Sequence, residues 1–201
     1  MVYDENWEYQ KNISFANNSL AYAIEIENEL YLTGDESVYK TDKSLNIINA
    51  SYNNGSAYRG IYYNKTSDLI YVAAQNLSSI FIFNRSIALI EKIGIGYKPF
   101  ALAEYGNKLF VGTKNGTILV IYNKTVINTY ISICSSINSL LIDNDGYIII
   151  ACNSPNAAYI YHINGTYTGN KITTSVAPYF VNFDTKGRLI ISSNTQIDIY
   201  Y

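Results

Sequence analysis

The 201-residue chain is poor in charge: Asp, Glu, Lys and Arg make up 15% of it, and its formal net charge is −2. No cluster of Lys or Arg appears. Nucleic-acid binding draws on phosphate-neutralising cations, so that class of partner is disfavoured. Long apolar runs are missing too. No stretch of eighteen apolar residues exists, which excludes a predicted membrane-spanning helix. Met1 to Gln10 is polar and holds no apolar h-region, so no secretory signal is read there. The expectation is an intracellular protein, or a mature or excised domain. Histidine is reduced to His162 and cysteine to two residues. Nucleophile elbows, phosphate-cradling loops and HExxH motifs are absent. Asn, Ser, Thr and 21 Tyr take the place of charge. Such a surface is solubilised by uncharged polar groups, or by something attached to them. The apolar content of 48% and the length suit one domain with a sizeable core.

A short apolar motif recurs: Glu29-Leu30-Tyr31-Leu32, Leu69-Ile70-Tyr71-Val72, Lys108-Leu109-Phe110-Val111, Tyr147-Ile148-Ile149-Ile150 and Arg188-Leu189-Ile190-Ile191. Counted from Leu30, Ile70, Leu109, Ile148 and Leu189, the steps are 40, 39, 39 and 41 residues. Each motif follows a turn rich in Asn, Asp or Gly, and each turn follows another short run, such as Phe100 to Tyr105. An alternating run comes next, such as Ile118-Leu119-Val120-Ile121, then a polar turn and a weaker fourth run, such as Val126 to Ile133. The runs are β-branched and aromatic. Four strands per forty residues is the pattern of a β-propeller blade.

The predicted fold is a single all-β domain over 1–201, a five-bladed β-propeller with four antiparallel strands per blade. The blades fall near 20–51, 57–96, 98–133, 137–175, and 177–201 plus 2–14. Ile197 to Tyr201 reads as a third strand with no fourth after it. Val2 to Ile13, through Trp7, reads as the end of a third strand, a turn and a fourth. The N-terminal strand is therefore expected to complete the C-terminal blade and close the ring.

Asn-x-Ser/Thr occurs ten times, at Asn12, Asn17, Asn49, Asn54, Asn64, Asn76, Asn84, Asn115, Asn123 and Asn164. Asn84, Asn123 and Asn164 recur at one place in three successive blades, the turn between third and fourth strands. That turn is exposed, as an N-linked glycan requires. A secreted or cell-surface glycoprotein is the expectation. Cys134, before the first strand of the fourth blade, and Cys152, ending its second, come to the same rim if those strands pair. A disulfide between them is predicted.

Lys98-Pro99-Phe100-Ala101-Leu102 through Lys108-Leu109-Phe110-Val111-Gly112 resembles the NHL-repeat type of extracellular propeller. So does Ala177-Pro178-Tyr179-Phe180-Val181-Asn182-Phe183-Asp184 through Gly187-Arg188-Leu189-Ile190-Ile191. The pattern is Pro, a first strand ending near Asp, Gly, then an apolar second strand. The resemblance implies a partner bound on one face rather than a set reaction.

His162 lies on a third strand, away from the axis where first strands converge, so no catalytic residue is assigned. Asp143-Asn144-Asp145-Gly146 lacks the later ligands of a calcium loop and reads as a hairpin turn. No cofactor is expected. One channel calcium, held by some of Glu25, Glu104, Asn138, Asn182 and Asp184, is the alternative. The Tyr content reads chiefly as packing between blades, with sugar stacking as the other reading. The leading functional expectation is a non-catalytic recognition or scaffold module. Its partner, protein or glycan, is expected on the rim formed by loops entering first strands and leaving second strands: Tyr58, Arg59, Tyr97, Lys98, Tyr179 and the loops at Gln75 and Lys114. The alternatives are a self-associating subunit of an extracellular filament or coat, and a metal-assisted hydrolase, lactonase or lyase using the channel.

Overall fold

A computed structural model describes residues 2–3, 9–11, 19–53 and 55–200. β1 (Val2–Tyr3) and β2 (Tyr9–Lys11) pair with each other. Four sheets of four antiparallel strands follow: β3 (Leu20–Ile26), β4 (Glu29–Gly34), β5 (Ser37–Asp42) and β6 (Ile47–Tyr52); β7 (Tyr58–Asn64), β8 (Leu69–Ala74), β9 (Ser79–Phe83) and β10 (Leu89–Gly94); β11 (Pro99–Tyr105), β12 (Lys108–Thr113), β13 (Thr117–Tyr122) and β14 (Thr125–Ile131); β15 (Ile137–Ile142), β16 (Tyr147–Cys152), β17 (Ala157–His162) and β18 (Tyr167–Thr173). The fifth holds β19 (Phe180–Phe183), β20 (Leu189–Ser192) and β21 (Ile197–Tyr200). Successive first strands β3, β7, β11, β15 and β19 pack side by side. Tyr22 and Phe180, with ring centroids 6.0 Å apart, bring the last of them back to the first. The chain is a five-bladed β-propeller. β1 and β2 lie within the two strand stretches read at the N-terminus, and the turn expected between them lies outside the described residues. Their expected joining to β21 is not among the pairings of the described residues. Trp7 lies outside those residues.

Alternation along the strands explains why the blades stack. In β13 and β16 nearly every side chain is buried, because each of these strands has a blade on both sides. One apolar cluster fills each of four blade junctions. Between the first and second blades it is Tyr31, Val38, Tyr58, Ile70, Phe81 and Phe83. Between the third and fourth it includes Phe110, Ile118, Ile137, Tyr159 and Tyr161. Tyr rings do packing work here, and their hydroxyls find partners: Tyr31 donates to the Arg85 carbonyl at 2.9 Å, and Tyr161 accepts from the Ile133 N–H at 3.0 Å.

In the fourth and fifth blades the turn between first and second strands is held by its opening Asp. Asp143 Oδ1 accepts the N–H groups of Asp145 and Tyr147, at 3.0 and 2.7 Å, and Gly146 takes φ +81°. Asp184 does the same for Lys186 and Arg188, with Gly187 at φ +75°. These carboxylates are spent on the hairpin, as the turn reading of Asp143 to Gly146 requires. Cys134 and Cys152 form the expected disulfide, with Cα atoms 5.4 Å apart.

Candidate ligand-binding mouth

Each of the first four blades opens with a register break in its innermost pair. Leu20 faces Gly34 and Tyr22 faces Thr33, leaving Ala21 over. Tyr58 faces Ala74 and Ile61 faces Val72, leaving Arg59 and Gly60. Phe100 is left between Pro99 and Ala101, and Asn138 between Ile137 and Ser139. A bulge re-aims the side chain it carries, and here three of the four carry large or polar groups at the same end of the ring. Local glycine permits this: a Cβ on Gly60 would lie 2.6 Å from the Phe100 carbonyl oxygen.

Tyr22, Phe100 and Phe180 meet at the axis. The Tyr22 ring stands edge-on to Phe100 with centroids 6.1 Å apart, and its hydroxyl donates to the Asn138 carbonyl. Burial pushes the Tyr22 hydroxyl pKa up, partly offset by the Arg59 charge, so the group remains a neutral donor. Beneath these rings lies a cavity of about 120 Å³ lined by all five first strands. Above them opens a cup of about 410 Å³ bounded by Leu20, Asp35, Arg59, Phe100 and Tyr179, among others. A second depression of about 660 Å³ lies alongside, between Gln75, Tyr97, Lys98, Lys114 and Asn115.

Lys114 stands at the divide. Its Nζ lies 3.7 Å over the Phe100 ring, which walls the cup, while the residue itself lines the second depression. It also donates to Asn138 Oδ1 at 3.4 Å. Asn138 Nδ2 in turn donates to the Pro178 carbonyl at 3.0 Å. Partial burial, and secondarily Arg59, lower the Lys114 pKa. Arg59 is neutralised by Asp35 at 2.9 Å. Among the described residues, neither Lys98 nor Lys114 has a carboxylate within ion-pair distance.

The rim residues expected from sequence divide. Arg59 and Tyr179 border the cup; Tyr97, Lys98, Gln75 and Lys114 border the second depression. Tyr58 does not reach the surface. It is 1% exposed, packed edge-on to Phe81 at 5.6 Å, because it occupies the paired position before the bulge. Sequence reasoning misses Tyr22, Phe100, Phe180 and Asp35. Aligning the repeats about the bulge would have exposed Phe100 and Asn138 beside Arg59.

The residues considered for a channel calcium are scattered. Glu25 is exposed and pairs with Lys43 at 2.9 Å; Glu104 accepts from Asn64 at 2.5 Å; Asp184 holds its own turn. Asn138 spends its amide on Lys114 and Pro178, and Asn182 alone of the five borders the narrow cavity. No cluster of three or more His, Cys, Asp or Glu able to hold a metal occurs among the described residues. His162 stacks on Tyr147, centroids 5.2 Å apart, at the end of the ring opposite the mouth.

Asn84, Asn123 and Asn164 do sit in the turns between third and fourth strands, hence at that opposite end. Asn64 ends the first strand β7 at that end too, while Asn49 lies on the outer strand β6. Asn76 and Asn115 lie at the mouth end; Asn12, Asn17 and Asn54 fall outside the described residues.

No family description and no curated protein matches the chain, so nothing in those comparisons carries the NHL resemblance. Solved structures do match its fold. A catalytically inactive variant of virginiamycin B lyase from Staphylococcus aureus, with quinupristin, superposes with a TM-score of 0.77 at 14% identity, covering 98% of this chain and 75% of that one. A streptogramin B lyase gives 0.76 at 12% identity, over 94% of this chain and 70% of that one. The WD40 domain of Doa1 gives 0.73 at 12% identity, over 90% of this chain and 61% of that one. Lyases and WD40 domains alike show what this chain shares with them, the propeller.

Proposed function

We propose that the chain is a non-catalytic recognition module of an extracellular or cell-surface glycoprotein, binding its partner across the mouth. The observation that carries this reading is the set of bulges, which turn Arg59 and Phe100 from two blades toward one cup, while Asn138 of a third blade holds Lys114 at its edge. Tyr and Arg are the side chains from which protein-binding hot spots are commonly built. Tyr179, 48% exposed, offers such an anchor. The three turn sequons face the other way, so glycans there leave the mouth open. The disulfide suits an oxidising compartment.

The lyase neighbours suggest an enzyme. One of them is catalytically inactive once a single His is replaced by Ala, however, and the sole histidine here lies at the opposite end from the mouth. Self-association has one observation in its favour. The outer strands expose Ile47, Ile48, Ile90, Ile127 and Ile131, an apolar belt suited to stacking.

The test is capture of extracellular proteins by the parent, by Tyr179→Ala and by Tyr122→Ala, whose site ends β13 at the far end of the ring. Capture lost only in Tyr179→Ala supports the mouth. Equal capture by all three rejects it. Light scattering of the purified chain separates a monomer from a stacking subunit. Intact mass before and after enzymatic deglycosylation of secreted protein tests the compartment.

A further inference from the structure

We infer that the mouth takes an extended acidic peptide segment of a partner protein, with one of its Asp or Glu carboxylates seated on Lys114. The inference rests on the mouth being the binding face and names the chemistry it selects. Three observations carry it. First, the ammonium of Lys114 stands between two adjoining depressions and over the Phe100 ring, half-withdrawn from water, and no carboxylate of the described residues pairs with it. Burial already costs this cation, as the direction of its pKa shows, and a ligand carboxylate restores what solvent lost. Second, the neighbouring acid, Asp35, is consumed by Arg59, so the surplus positive charge is that of Lys98 and Lys114 in the depression adjoining the cup. Third, the two depressions run side by side, a track longer than one residue. The buried amide oxygen of Gln75 in its wall has no hydrogen-bond partner among the described residues. A peptide backbone supplies N–H donors along such a track, with Tyr179 and Phe180 flanking it on the other side.

The experiment uses the full chain, disulfide intact and free of glycans, with a fluorescein-labelled Glu-Tyr-Glu-Leu-Glu peptide, its Gln-for-Glu counterpart, and a glucuronic-acid oligosaccharide as competitor. Binding is read by fluorescence polarisation. The acidic peptide is expected to bind about tenfold more tightly than the Gln peptide. Lys114→Met keeps the apolar stem over Phe100 and is expected to lose about tenfold; Lys114→Arg is expected to recover most of it. Circular dichroism matching the parent shows that the Met variant folds. Equal affinity for the two peptides, no measurable binding, or an unaffected Lys114→Met overturns the inference. Displacement by the oligosaccharide at lower concentration than unlabelled peptide overturns it in favour of an acidic sugar. A captured partner lost in Tyr179→Ala but kept in Lys114→Met leaves the mouth as the binding face and removes only the acidic assignment.

Discussion

Gly60→Ala tests the link between the ring and its mouth. Gly60 has ordinary backbone angles, so the substitution strains no φ, and its effect is purely steric. The added methyl would lie 2.6 Å from the Phe100 carbonyl oxygen, 2.9 Å from the Ala101 Cα and 3.1 Å from the Leu102 nitrogen. All three are backbone atoms of the next first strand and cannot swing aside like a side chain. β7 and β11 must part. Overpacking of this kind costs about 1–3 kcal/mol. Loss of glycine freedom in the unfolded chain returns about 0.4–1 kcal/mol. At mid-range the net loss is about 1.3 kcal/mol, which for a chain of this length lowers the melting temperature by about 3–5 °C. Gly94→Ala is the control. A methyl there meets nothing within 4 Å, so stability should hold or rise slightly. Thermal melts followed by circular dichroism decide it. A Gly60→Ala protein melting with or above its parent would show slack between the inner strands and refute the argument that they fix the Phe100 bulge.

Removing the disulfide by Cys134→Ala with Cys152→Ala frees a loop of 18 residues' separation, and should cost about 3 kcal/mol in chemical denaturation. Tyr22→Phe strands the Asn138 carbonyl and should cost about 1–3 kcal/mol, read in the same way. Glu29 is held below its ordinary pKa of 4.5, chiefly by Lys40 beside it. A depressed carboxylate stabilises the fold above its unfolded pKa, so melting temperature should stay level from neutrality toward pH 4.5 and decline below it, the decline being shallower in Glu29→Gln. Gly116→Ala places a methyl 1.7 Å from the Cys134 carbonyl oxygen at φ +73° and should lower the melting temperature more than Gly60→Ala does.

The repeat is legible because burial imposes it. Leu30, Ile70, Leu109, Ile148 and Leu189 all fall on second strands, where a blade on either side demands apolar residues. The paired cysteines follow from strand pairing alone. The mouth is legible only in part. Arg59 and Lys114 stand out as cations in a chain with few. Tyr58 misleads because Tyr serves packing and surface equally, and because the bulge that separates it from Arg59 is a register event, visible only when β7 is laid against β8. Tyr22, Phe100 and Phe180 come from three blades and converge only on closure of the ring, which no local pattern encodes.

The turn asparagines show how one residue serves two chemistries. Asn84 Oδ1 accepts the N–H groups of Ser86 and Ala88, at 3.0 and 2.9 Å, and the Ser86 hydroxyl at 2.8 Å. Asn164 Oδ1 accepts the Thr166 N–H at 3.0 Å. An Asx turn therefore favours Asn at this place, and at Asn84 the Ser86 hydroxyl adds to it, so turn and glycan acceptor share one spelling. The first blade separates the two demands: at the same turn Asp42 accepts the Asn46 N–H at 2.8 Å, with no acceptor motif. Folding needs an oxygen there; it does not need an amide nitrogen. Asp at Asn84 or Asn164 should thus preserve the turn and remove any attached glycan, so the mass lost at each position, with the melting temperature unchanged, counts modification apart from structure.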